Sequence, residues 1–411
     1  MMYSRLVLST LARLGGVTGK QIGWAAGLVL MALGFAYYVA GHPMDFRVYY
    51  YGARGVFDGT RPVYGPASGL GWPMHYRYPP LFLLLFAPFT LLPLAWGAAV
   101  WVVLKIAVLE RGLTAGGPPP ATIWSGAFVV PLLFITPYLI EEFRYGNAQF
   151  FVFALSAVAL LLERKRPVLG AASLALGISI KVWPLFFLPY LAVRRNWKLA
   201  GYTLAFVAVL TMLPGFYFGF GRNAGLLKEW YAQEMQTQLG ESEIWFPNQS
   251  LRGALMRYLT LIDYSKVPDS NYAQVNIVTL DPEIVRLIWL LIAFTVYVGF
   301  LWLANRRRET DGRLDHGLAF CLIAILEPFT QKYALAILLW PALAASGFLS
   351  KRGFRTLLYS ATILVLIQPL TPGAGAQRFL QVLGLDFAAA TLLTAALAAE
   401  VIRRQRCKYP N

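Results

Sequence analysis

Asp45 stands just beyond the first long apolar run, in Asp45-Phe46-Arg47-Val48-Tyr49-Tyr50, close enough to that run to be held at a membrane surface. A carboxylate there can take the proton from an acceptor hydroxyl while the oxygen attacks a carbon that carries a phosphate leaving group. The same carboxylate could instead pair with Arg47 or Arg54 at the interface, and the residues alone leave both roles open. A departing phosphate needs a cation. Lys181 is the most isolated one, between Ile180 and Val182 in an otherwise apolar run. An ionisable residue so placed marks a functional site by default, with snorkelling to the headgroups as its alternative. Arg257 and Lys332 are further candidates for the phosphate, whereas Arg252 reads as a solvated loop charge. Glu141 and Glu142, followed by Arg144-Tyr145-Gly146-Asn147, either bind acceptor hydroxyls or cap helices. His75, Tyr78, Asn147, Asn248 and Gln249 complete the candidate contacts to a sugar or acceptor.

Other chemistries lose support at once. No P-loop or dinucleotide-type glycine pattern occurs, so a nucleotide-sugar or ATP site has no basis in the chain. Cys321, Cys407 and three scattered histidines make neither a disulfide framework nor a zinc or iron–sulfur site. No metal is required where cations neutralise a developing phosphate charge, although Glu141 or Glu142 leaves room for a divalent ion.

The elements that position these residues are membrane helices. Of 411 residues, 58% are hydrophobic and only 14% charged, against about 25% charged in an ordinary soluble domain. Apolar runs long enough to cross a hydrocarbon core of about 30 Å recur along the chain, which predicts an all-α polytopic membrane protein and argues against a barrel. The net charge of +16 does not point to nucleic acid, because its basic residues cluster in short connections such as Arg164-Lys165-Arg166 and Arg306-Arg307-Arg308. Short basic loops mark the cytoplasmic side. With those loops inside, twelve spans follow, near 21–40, 79–110, 121–140, 147–162, 168–181, 183–193, 199–217, 284–304, 314–328, 333–349, 356–370 and 385–402. This path puts 22 of the 36 Lys and Arg inside with 6 of the 20 Asp and Glu, leaving +16 inside and no net charge outside. Residues 79–110 read as one long kinked or tilted element, since a hairpin at Pro88 and Pro93 would invert every later loop. Residues 168–193 read as two short helices meeting at the outer face beside Lys181. Residues 116–120 form a helix-breaking cytoplasmic link, and 21–40 read as a retained span. Two long outer loops remain, 41–78 and 218–283. The first carries nine aromatic residues and is expected to lie in the headgroup layer.

Six short patterns occur together in order. They are Gly59-x-x-x-x-Tyr64, Tyr76-x-Tyr78-Pro79-Pro80, Gly146-Asn147-x-Gln149, Ile180-Lys181-x-x-Pro184, Asn248-Gln249-Ser250-Leu251 with a following arginine, and Pro328 thirteen residues before Pro341. With the aspartate and aromatic residues that follow the first span, they cover roughly residues 44–341, and the chain resembles glycosyltransferase family 87, whose members are GT-C membrane enzymes. The resemblance implies a polyprenyl-phosphate sugar as donor, mannose in the characterised type, and a lipid-linked or envelope glycan acceptor. It implies a seven-helix module over 1–217, the outer loop 218–283, and variable C-terminal helices over 284–411. The family's base aspartate falls on Asp45 and its lysine before proline on Lys181. Many members carry histidine after the proline at 328; here the stretch is Pro328-Phe329-Thr330-Gln331-Lys332-Tyr333. The expected activity is inverting hexosyl transfer at the outer face of the cytoplasmic membrane. A twelve-span transporter or flippase, or a scaffold subunit, are the alternatives. Against transport, the charges gather at outer helix ends and no inverted repeat of broken helices is visible.

Overall fold

A computed structural model describes residues 19–42, 44–71, 74–116, 126–238, 241–263, 272–306 and 312–408, and among these residues all regular structure is helical. The expected link at 116–120 lies almost wholly outside them. In chain order the helices are α1 (Gly19–Gly41), α2 (Met44–Phe57), α3 (Pro80–Phe86), α4 (Leu94–Gly116), α5 (Gly126–Tyr145), α6 (Gln149–Leu162), α7 (Pro167–Ile180), α8 (Phe187–Val193), α9 (Trp197–Met212), α10 (Gly215–Phe218), α11 (Phe220–Gln238), α12 (Glu241–Ile244) and α13 (Leu251–Leu259). They continue with α14 (Pro282–Arg306), α15 (Arg313–Leu326), α16 (Leu339–Ala345), α17 (Arg352–Leu370), α18 (Ala374–Val382) and α19 (Leu385–Lys408), with 3-10 turns at Ala87–Leu91, Trp183–Phe186, Lys332–Leu338 and Ser346–Phe348. A chain this apolar can enter a bilayer only if each backbone group is paired inside its own segment, and helices meet that condition.

Among the described residues, four helices are long and apolar enough to cross a membrane: Trp197–Phe218, Pro282–Arg306, Arg352–Leu370 and Leu385–Gln405. The pair Pro80–Leu91 and Leu94–Gly112 passes the same test only as a unit and is bent by 117° at the break between its legs. This corrects the single kinked element expected over 79–110. Leu92 is extended (φ −97°, ψ 151°), as the residue before Pro93 must be, and the helix restarts in a new direction. The first leg, roughly 18 Å long at 1.5 Å per residue, falls short of crossing alone. Further apolar stretches at Gln149–Leu162, Pro167–Ile180, Trp183–Val193 and Lys332–Phe348 are shorter helices, and they form much of the centre. α7 packs between α6 and α9, α17 on α19, and α15 on α19.

The long segment 218–283 is about half helical, and 41–78 carries one helix, α2. The aromatic residues of α2 turn inward rather than outward. Phe46 meets Phe86 at 5.1 Å and Trp101 at 6.0 Å, and Tyr49 meets Phe82 at 5.1 Å. Burial of several rings fixes α2 to α3 and α4. The two loops are also joined to each other. Arg77 forks onto Glu234 at 2.9 and 3.0 Å, Gln233 holds Gly65 N and Tyr76 O at 2.8 Å each, and the Trp230 indole donates to Arg77 O at 3.1 Å.

Candidate active site

The site is built on two interruptions. Between α5 and α6 the chain turns at Gly146, whose φ of +68° suits glycine, and where a Cβ would stand 2.8 Å from Phe46 Cβ. That turn presents Asn147 to the first residues of α2. α7 ends at Ile180, and Lys181 is extended (φ −139°, ψ 137°) before the turn that contains Pro184. Pro184 cannot continue the helix. The break releases the Lys181 ammonium from the helix surface.

One amide joins the two. Asn147 Nδ2 donates to Asp45 Oδ2 at 2.7 Å, and Asn147 Oδ1 accepts from Lys181 Nζ at 3.3 Å. Lys181 also donates to Gln149 Oε1 at 3.0 Å, an oxygen shared with the Trp183 indole at 3.2 Å. The ammonium lies 5.6 Å from the Tyr78 ring centre and 5.7 Å from that of Tyr333, and Tyr78 shares a hydroxyl hydrogen bond of 2.6 Å with Tyr49. Asp45, Asn147, Gln149, Lys181, Tyr78 and Tyr333 all line one cavity of about 2240 Å³. Burial pushes the Asp45 carboxyl above the usual carboxylate range, against the Asn147 hydrogen bond and the charges of Lys181, Lys105 and Arg77. A carboxyl of raised pKa and an ammonium, held on either side of one neutral amide, have the chemistry to accept a proton and to neutralise an anion within one site.

The remaining candidates divide. His75, Glu141 and Lys332 line the same cavity; Glu141 pairs with Arg144 at 2.8 Å and Lys332 donates to Gln368 at 2.9 Å. Glu142 does not reach it. Its carboxylate is buried against Lys105 at 2.7 Å and accepts from Phe150 N at 2.8 Å, so it caps α6 and balances a lysine inside α4. Arg257 is buried too, donating to Val382 O at 2.8 Å and Asn248 O at 2.7 Å. Asn248 donates to Pro328 O at 3.0 Å and accepts from Thr330 N at 3.2 Å, while Gln249 N donates to Thr330 O at 2.6 Å and its side-chain amide to Gln381 O at 2.8 Å. Asn248 and Gln249 therefore hold the loop that leads to Lys332 and Tyr333, and Arg257 bridges Asn248 O to Val382 O. Arg252 is likewise not a solvated charge, since it is buried on Glu243.

Gln149 and Tyr333, which the sequence patterns contain without a role of their own beside Lys181, line the cavity, as do Arg77 and Glu327, which were not candidates. A carboxylate closing the apolar stretch 317–326 was the available signal for Glu327. Among the described residues, no three His, Cys, Asp or Glu side chains stand close enough together to hold a metal ion.

The sequence model of glycosyltransferase family 87 matches residues 76–330, well over half of the chain. The chain belongs to that family. Two curated relatives are each named polyprenol-phosphate-mannose-dependent alpha-(1-2)-phosphatidylinositol mannoside mannosyltransferase. The one from Mycobacterium tuberculosis is 30% identical over 225 residues, covering 48% of this chain and 52% of its own. The one from Mycolicibacterium smegmatis is 27% identical over 290 residues, covering 65% and 60%. The chain thus matches between half and three-fifths of the length of these relatives. Within this family 87 chain, Asn147, Gln149 and Lys181 fall inside the matched region, and Asp45 lies ahead of it.

Proposed function

We propose that this family 87 chain transfers a hexose, mannose by its likeness to the two relatives, from a polyprenyl-phosphate sugar to a lipid-linked or glycan acceptor on the outer face of the membrane. The observation that carries the reading is the Asp45–Asn147–Lys181 chain of contacts opening onto one cavity. The acceptor hydroxyl attacks the anomeric carbon from the side opposite the phosphate, and Asp45 takes its proton. The bond between that carbon and the phosphate oxygen breaks, its electron pair leaves with polyprenyl phosphate, and Lys181 neutralises the charge that develops there. Attack opposite the leaving group inverts the anomeric centre. This scheme requires no cofactor beyond the donor.

The test is acceptor-dependent release of polyprenyl phosphate from polyprenyl-phosphate mannose by the purified protein. Absence of release with any glycolipid acceptor would overturn the reading. Lys181→Ala is expected to raise the donor KM roughly tenfold to a hundredfold, since charge-assisted contacts are worth about 1.5–3 kcal/mol. An unchanged donor KM would leave Lys181 as a snorkelling residue.

The outer-face assignment rests on the charge count of the loops. With Cys321 and Cys407 replaced, a cysteine at exposed Lys228 on α11 is expected to react with an impermeant thiol reagent in intact cells. A cysteine at exposed Lys165 is expected to be spared. The reverse pattern would place the site on the cytoplasmic face.

A further inference from the structure

Where α17 begins and α19 ends, one buried carboxylate holds three cations. Arg403 donates to both oxygens of Glu400 at 3.0 Å each, Arg404 Nε donates to Oε1 at 2.8 Å, and the Lys351 ammonium reaches Oε2 from the residue before α17. The Phe348 ring centre lies 5.1 Å from that ammonium and 4.9 Å from the Arg404 guanidinium, so the acid and the ring together fix where these charges stand. Arg352 and Arg355 follow in the first turn of α17, both exposed, and no acid in that turn offsets them. Five cations against one acid leave the cluster at +4. Its donors are not used up. An ammonium carries three N–H groups and a guanidinium five, yet among the described residues Lys351 and Arg404 each give one to an acceptor, and their side chains are 36% and 50% exposed. The position of the cluster decides what second anion it meets. Arg352–Leu370 and Leu385–Gln405 are each long and apolar enough to cross a membrane, and they pack on one another. Their shared end, which holds the cluster, belongs to the layer of lipid headgroups. Gln368, which lines the catalytic cavity, stands at the far end of α17, roughly 24 Å away at 1.5 Å per residue.

We infer that Lys351, Arg352, Arg355 and Arg404, gathered around Glu400, bind the phosphodiester of an anionic phospholipid headgroup, in the leaflet opposite to the Gln368 end of α17. Such a site is independent of what the catalytic cavity does. Charge-assisted hydrogen bonds from ammonium and guanidinium groups suit a phosphate oxygen, and a basic cluster beside a membrane helix attracts anionic lipid. A zwitterionic headgroup offers the same phosphate but brings a cation of its own, which a cluster at +4 repels. Basic residues whose whole role is to orient the chain in the membrane would show no preference between the two headgroups.

The test compares melting temperatures of the full chain in nanodiscs of phosphatidylcholine and in nanodiscs that also contain phosphatidylglycerol. A lipid that binds the folded protein raises its melting temperature, so the wild type is expected to melt higher with phosphatidylglycerol. Arg352→Gln/Arg355→Gln removes two exposed cations that do not touch Glu400. This variant is expected to melt like the wild type in phosphatidylcholine and to lose about half of the gain or more, since each cation contributes similarly to the attraction. Should it melt lower in phosphatidylcholine, Arg355→Gln alone serves, with a loss of about a quarter or more. Lys165→Gln/Arg166→Gln removes the same charge from an exposed basic connection elsewhere and is expected to keep the whole gain. An equal loss in the two double variants, or no gain in the wild type, would overturn the assignment and leave the cluster as charge that sets topology. A gain of the same size from inorganic phosphate in phosphatidylcholine nanodiscs would overturn it in favour of a soluble anion.

Discussion

Asp45→Asn is expected to fold and bind donor like the wild type while turnover falls at least about a hundredfold, since a positioned base contributes about 10²–10⁴-fold to proton transfer. Asparagine keeps the oxygen that accepts from Asn147 Nδ2 but cannot take a proton from the acceptor hydroxyl. The pH profile carries a second signature. Burial raises the Asp45 pKa, so the basic form is lost as pH falls through a value above the free-aspartate figure of about 3.9. The acid limb of kcat/KM in the wild type is therefore expected above that figure, and the limb should vanish from the residual activity of the variant. The stability sign runs the other way from that of a structural ion pair. A carboxyl whose pKa is higher folded than unfolded costs stability once pH exceeds the unfolded value. Removing its charge is then expected to leave the melting temperature at neutral pH unchanged or higher. Donor binding, melting temperature and turnover measured on one purified sample decide the matter. Lowered stability with near-normal turnover would return Asp45 to a structural role.

The interruptions that build the site were more legible in the chain than the contacts across it. An apolar run that meets Lys181 and then Pro184 must break, and the break is where the sequence places it. Pro88 and Pro93 mark an interruption equally well, yet two prolines do not set an angle, and the 117° bend is fixed by packing of α2 against α3 and α4 rather than by local preference. Asp45, Asn147 and Lys181 each stood out by type and by position near the end of an apolar run. Their union on one amide spans 102 residues of separation on one side and 34 on the other, which no periodicity encodes. Polar type alone did not separate the roles of three further candidates. Asn248, Gln249 and Arg257 have the polar groups that a ligand would need, and a chain reversal near Pro328 needs the same groups for its own carbonyls and amides. Buried backbone must be satisfied, and side chains close in space do so before any ligand arrives.

The second large effect lies behind the site. Lys105 is fully buried inside α4, with its ammonium 2.7 Å from Glu142 Oε2 and 3.2 Å from Glu142 O. The other carboxylate oxygen accepts from Phe150 N at 2.8 Å, so the pair fixes the turn from which Asn147 reaches Asp45. Removing one partner of a buried ion pair leaves an uncompensated charge, at a cost of about 3–5 kcal/mol, whereas replacing both by neutral groups of similar size is far milder. Lys105→Met is therefore expected to lower the melting temperature in detergent sharply. Adding Glu142→Gln should restore most of the loss, because glutamine keeps the oxygen that caps Phe150 and carries no charge. A double variant as unstable as Lys105→Met alone would show that the lysine acts through its packing against Trp101 and Phe143 and not through its charge. Equal stability of Lys105→Met and the wild type would mean that the pair does not hold the turn. If the pair positions Asn147, the restored double variant should still turn over more slowly than the wild type, because the amide that links base and cation has lost its fixed support.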